Sequence, residues 1–244
     1  MKKIWPLAVL GIVAYIVFAL VTLPARLLVS RLAPLITADG VQGTVWDGQA
    51  QVVQQGTVWL GSVAWKLRAL PLFMGRLRAD VKVTRSDGFA QATIDAGFSG
   101  NVAFGNLTAS LPLASMSAPG GWVGTINAKL PHLSVHNGWP NQVEGTIEIT
   151  NLTGPANRPS NLGSYKVTFP PGGSGGGELV GALADLGGPL EIAGNIRLKD
   201  DRSYVLEGVV AARPDAPKNL SDSLQYLGAP DAKGRRPFSI AGTM

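Results

Sequence analysis

The residues best suited to chemistry are the chain's two histidines, His132 and His136. Four apart in a stretch that alternates like a strand, they fall on one face, as two metal ligands would. No acid lies close to them in sequence, and no further histidine exists to complete a site. There is no cysteine, which removes thiol chemistry, cysteine metal sites and any disulfide framework. A Ser-His-Asp assembly lacks its G-x-S-x-G signature. The glycines between 172 and 177 lack the lysine and spacing of a phosphate loop and read as a linker. No pair of carboxylates stands out, and Asn106-Leu107-Thr108 and Asn151-Leu152-Thr153 are sequons of little weight. The sequence predicts no enzyme, no metal and no cofactor. The net charge of +5 is spread along the chain, without the basic block that nucleic acid would need.

The elements around these residues are strands. In GFAQATIDAGF, Ala90, Ala92, Ile94, Ala96 and Phe98 face one way and Gln91, Thr93 and Asp95 the other. NQVEGTIEIT sets Val143, Ile147 and Ile149 against Gln142, Glu144, Thr146 and Glu148. PLEIAGNIRLKD sets Ile192, Ile196 and Leu198 against Glu191, Asn195 and Arg197. Such alternation marks antiparallel strands with one dry and one wet face. Ser86-Asp87-Gly88, Ser99-Gly100-Asn101, Asn137-Gly138 and Asp200-Asp201 supply turns between them. PPGGSGGG, residues 170–177, reads as a flexible loop. Leu220, Leu224 and Leu227 recur at helical spacing before Gly228, with Asp215 as a candidate cap, so one short helix precedes a last strand over 237–243. A continuous dry face, if curved and left partly open, could hold an acyl chain or a partner's strand. If closed, it is an ordinary core.

The N-terminus is of another kind. Ile4 to Leu23 are twenty uncharged, mostly apolar residues, enough for a helix across the roughly 30 Å of a bilayer's hydrocarbon. A cleavable signal has a shorter apolar core and a small-residue cleavage site, which LPARLLVSRLAPLI does not offer. Lys2 and Lys3 favour a cytoplasmic N-terminus against Arg26 and Arg31 beyond the run. The expected organisation is a cytoplasmic tail 1–3, a transmembrane helix 4–23 and a juxtamembrane helical segment 24–36. A mainly β domain follows over 39–244, curved or sandwich-like, outside the cytoplasm.

Three stretches then bear on family. VQGTVWDGQAQVV follows the apolar anchor, GSVAWKLRALPL comes next, and YVLEGVVAARPDAPKNLSDSLQYLGAPDAKGRRPFSIAGTM closes the chain. This order resembles the type II secretion system protein N family of Gram-negative bacteria. The residues that carry it are Gly43, Thr44, Trp46, Gly48, Trp65, Leu227, Gly228, Gly234 and Gly242. They are structural, and the family offers no catalytic residue to transfer. The resemblance implies an accessory component of the inner membrane with a periplasmic β-domain. Its partners would be other inner-membrane components of the apparatus or its pseudopilus. The G-T-x-W-x-G segment also looks like the first strands of AsmA-like periplasmic proteins, whose sheets curl into lipid-holding grooves. On strand parity Val45 and Asp47 share a face and Trp46 takes the other, as a core anchor or an interfacial aromatic.

Overall fold

A computed structural model describes residues 5–27, 37–55, 58–97, 100–116, 121–155, 160–172 and 177–243. The cytoplasmic tail expected over 1–3, most of the juxtamembrane segment and the centre of the glycine-rich loop lie outside the described residues. The chain divides into two units, Met1–Ser86 and Asp87–Met244.

The first unit opens with α1, Trp5–Val21. At 17 residues it is about 26 Å long, short of a bilayer's hydrocarbon. Among the described residues no helix is long and apolar enough to cross a membrane, so helix length alone does not establish the span expected over 4–23. Its side chains are nevertheless apolar and open: Leu10, Ile12, Tyr15 and Phe18 are each at least 60% exposed. Strands β1 (Thr37–Asp39), β2 (Gln42–Gly43), β3 (Asp47–Gln55), β4 (Val58–Arg68) and β5 (Arg76–Arg85) follow. A single helical turn, α2 (Ala69–Leu72), stands between the last two. β3 pairs with β1, β2 and β4, and β4 pairs with β5, all antiparallel.

The second unit is an antiparallel meander. Its strands are β6 (Gly88–Gly97), β7 (Asn101–Pro112), β8 (Val123–His136), β9 (Trp139–Thr153) and β10 (Asn161–Phe169). They continue as β11 (Glu178–Asp185), β12 (Leu190–Lys199), β13 (Ser203–Ala212) and β14 (Arg236–Thr243). Each pairs with its sequence neighbour, and β14 pairs only with β13, so the sheet is not closed. No second sheet packs over it among the described residues, which sets aside the sandwich-like form of the expectation. Asn137 and Gly138, at φ +50° and +82°, make the tight turn their types predict between β8 and β9. Asn106 and Asn151, both near φ +50°, sit where the ladder slips by a residue. Such bulges bend a sheet and increase its twist.

The late helix α3 (Lys218–Ser223) runs on into a 3-10 turn, Leu224–Tyr226. Its N-cap is Pro217, not Asp215, and no side chain caps it. The amides of Leu220 and Ser221 instead donate to the Pro217 carbonyl, which starts the turn without an acid. The buried centre of this unit is Leu130, Val143, Phe169 and Leu179, with Ile147, Val167, Ile196 and Leu198 against it.

Candidate functional site

The histidines do not make a site. His132 Nε2 lies 3.2 Å from Gln142 Oε1, and His136 bonds through its two ring nitrogens to Asn101 and Asn137. Glu144 stands opposite His132 in the ladder, but its carboxylate accepts from the Gly172 amide at 3.1 Å. No three His, Asp or Glu side chains converge as metal ligands among the described residues.

The family-motif residues fall into two groups, one in each unit. In the first, Gly43 to Gly48 form a tight link and not a continuous strand. Gly43 pairs with Gly48, and the Thr44 amide donates to the Asp47 carbonyl at 2.9 Å. Gly43 has φ +86°, and a methyl group there would meet the Asp47 carbonyl oxygen at 2.4 Å. Only glycine fits that turn. Val45 and Trp46 therefore lie in a bend, and the strand parity expected for them does not apply.

The bend receives the end of α1. A helix leaves its last carbonyls without partners, and these need donors from elsewhere. The Trp46 indole N–H donates to the Leu20 carbonyl at 2.7 Å, and the Val45 amide donates to the Leu23 carbonyl at 2.9 Å. Pro24 bridges Thr44, and Ala25 is 1% exposed. Trp65 Nε1 donates to the Val45 carbonyl at 3.1 Å, over Gly48. A methyl group on Gly48 would lie 2.6 Å from Trp65 Cζ2. Trp46 is thus half-buried, and its polar atom ties helix to sheet.

In the second unit the motif residues scatter along the last elements. Gly234 is a turn residue at φ +76°. Gly242 lies under Tyr204, where a methyl group would meet the phenol oxygen at 2.6 Å. Gly228 accepts from Arg236 Nη1 at 2.9 Å. Leu227 lines a hollow of about 520 Å³.

That hollow lies on the dry face of the sheet. Ladder register places Ile147 and Ile149, Tyr165 and Val167, Leu183, Ile192 and Ile196, Leu206 and Val210, and Phe238 and Ile240 on one face. All of them line the hollow. Five strand spacings separate β9 from β14, about 24 Å if flat, so the sheet must curve for one cavity to touch them all. Gly194 and Gly208 face each other at its middle, where a methyl group on either would come within 2.9 Å of the other's Cα. The dry face predicted from alternation is thus a partly open hollow as well as a core.

Beside the hollow is a polar cluster that sequence reasoning missed. Arg213 Nη2 meets Asp185 Oδ1 at 2.6 Å, and Nη1 donates to the Gly188 and Leu190 carbonyls. Asp185 also accepts from the Gly187 and Ile192 amides. Burial alone raises the Asp185 pKa, but the Arg213 hydrogen bond and the two amides outweigh it and hold the carboxyl below the usual range. Tyr165, whose hydroxyl donates to the Leu162 carbonyl, is pushed up to about 12 by burial and then by the Asp185 charge, against Arg213. The partners are 28 residues apart, and no local spacing announces them.

No solved structure matches this chain. A type II secretion system protein N of Aeromonas hydrophila is 26% identical, across 99% of both chains. One of Vibrio cholerae serotype O1 is 25% identical, across 92% of both. The family described as "Type II secretion system (T2SS), protein N" matches residues 34–239. The match takes in the bend and every motif residue of the second unit except Gly242, and the chain belongs to the type II secretion system protein N family.

Proposed function

We propose that the chain is a non-enzymatic accessory component of the type II secretion apparatus. The segment 4–23 holds it in the inner membrane with its N-terminus in the cytoplasm, and the β-domain stands in the periplasm. The observation that carries this reading is α1. A helix of apolar residues whose described side chains are nearly all exposed has no place in water, and its natural surroundings are lipid. The extra turn that its length lacks is within reach of Ile4 and of Thr22–Leu23, which extend the same uncharged run. The bonds from Trp46 to the Leu20 carbonyl and from Val45 to the Leu23 carbonyl just past the helix then make the anchor and the first strands one piece. The domain's partners are other inner-membrane components or the pseudopilus.

The absence of cysteine makes the test direct. A single cysteine at Ser203 should react with an impermeant maleimide in intact spheroplasts, and one at Lys2 should react only after lysis. Photocrosslinkers on the outward faces of β12 and β13 should then capture a secretion component from whole cells. Labelling in the reverse sense sinks the topology, and crosslinks confined to unrelated proteins sink the role.

The hollow favours a second, compatible reading as an AsmA-like lipid-binding module. At about 520 Å³ it falls within the roughly 300–1,000 Å³ of small-molecule sites, and its walls are aliphatic and aromatic. Mass spectrometry of lipid retained by the purified full-length chain tests it. Retention in proportion to protein, lost in Leu206→Glu, supports lipid binding, and equal retention by both removes it.

A further inference from the structure

The turn between β4 and β5 departs from ordinary turn chemistry. Turns are built from Gly, Asn, Asp, Ser and Pro because these residues meet water and suit the backbone. Here Leu70, Phe73 and Met74 are 81%, 89% and 82% exposed. They are not loosely held. The amides of Phe73, Met74 and Gly75 donate to the carbonyls of Leu70, Pro71 and Leu72 at 3.3, 3.0 and 3.0 Å. Gly75 closes the turn at φ +69°. The result is an ordered platform of three large apolar side chains with nothing packed over them.

Its place in the first unit narrows what could cover it. The Leu67 amide donates to the Trp46 carbonyl at 2.6 Å, and the Trp46 indole donates to Leu20 in the last turn of α1. β4 therefore passes the end of the helix and stops one residue later, at Arg68, where α2 opens the platform. Charge points the same way. Arg68, Arg76 and Arg78 flank the apolar residues, and Arg68 bonds Asp80 at 2.9 Å. Apolar residues rimmed by long cations suit the boundary of a bilayer, where the stems lie along acyl chains and the heads reach phosphates.

We propose that the β4–β5 tip is a second membrane contact: Leu70, Phe73 and Met74 enter the headgroup boundary of the bilayer that holds α1, and the arginines bind anionic lipid. The inference rests on α1 being the anchor. Two contacts in place of one fix the tilt of the first unit on the membrane, which a single helix leaves free.

The test uses the full-length chain in phosphatidylethanolamine–phosphatidylglycerol nanodiscs, with a polarity-sensitive dye on single cysteines. Met74→Cys reads the tip, Tyr15→Cys the anchor, and Ser86→Cys the opposite end of β5, about 30 Å away. The expected result at Met74 is a blue-shifted dye that loses most of its fluorescence to lipids spin-labelled near the headgroup, with no loss at Ser86. Adding Leu70→Asp and Phe73→Asp should restore the Met74 signal to the Ser86 level. A Met74 dye that stays unquenched by the headgroup labels while Tyr15 is quenched by lipids spin-labelled along the acyl chain overturns the tip and leaves the anchor standing. Both unquenched removes both, and quenching at Ser86 equal to that at Met74 also overturns the proposal. A blue shift at Met74 without lipid quenching also overturns the membrane contact.

Discussion

The bend at Gly43–Gly48 and the hollow of β9–β14 hold their shapes by different means. In the bend, shape comes from backbone: two glycines that nothing else could replace, and the Leu20 and Leu23 carbonyls met by one indole and one amide. In the hollow, shape comes from side chains of interchangeable type, all aliphatic or aromatic, spread over six strands. The first should be brittle, because each bond has one geometry. The second should be forgiving, because an already open apolar wall loses contact area without leaving a new closed cavity.

The sharpest way to break this contrast is Gly48→Val. Its branched side chain must displace Trp65 and the Thr44 carbonyl, and the expected loss is about 3 kcal/mol in urea unfolding of the full-length chain in detergent. Trp46→Ala should cost about 2–3 kcal/mol through lost packing and the lost bond to the Leu20 carbonyl, whereas Trp46→Phe should cost about 1 kcal/mol, mostly the hydrogen bond. If Phe is as costly as Ala, the indole N–H is the whole of the link. On the other side, Leu206→Ala should cost about 1 kcal/mol, well under a closed-core leucine. A loss near 4 kcal/mol would show the hollow to be closed and tightly packed.

Asp185 sharpens the comparison from the hollow's polar side. Its pKa is lowered in the fold, so its contribution is intact above the unfolded value of about 4 and is lost as pH falls through the folded one. Asp185→Asn should lower the melting temperature at neutral pH by less than Trp46→Ala, and should flatten the acid limb below about pH 4. The smallest effect belongs to the histidines. His132→Gln with His136→Gln should change stability by less than about 0.5 kcal/mol, with no response to added zinc.

Much of the meander was legible. Ile147, Ile149, Ile192 and Ile196 lie on the face their alternation assigns, and Asn137-Gly138 turns as its types require. Curvature was not legible, because period two fixes which side a residue faces and not how far the sheet bends. GTVWDG misled for a related reason: its alternation is that of a strand, and only the Leu20 and Leu23 carbonyls, contributed from twenty-odd residues earlier, reveal a bend. Leu70–Met74 is an apolar run ending in Gly75 between two strands that pair directly, and that position is its only signal in the sequence. Asp185 and Arg213 left no sequence signal.

Because each strand from β7 to β14 pairs with the one before it, no long loop must close before a ladder can grow. Contact order is low for a β-protein, and loop-closure entropy is met in small steps. A chain delivered gradually from its N-terminus would find each new strand's template already in place, so folding can keep pace with delivery. The growing edge is vulnerable to foreign strands only while it waits for the next hairpin. The last edge, β14, carries Pro237, which has no N–H to offer, and a proline in a final strand discourages further addition.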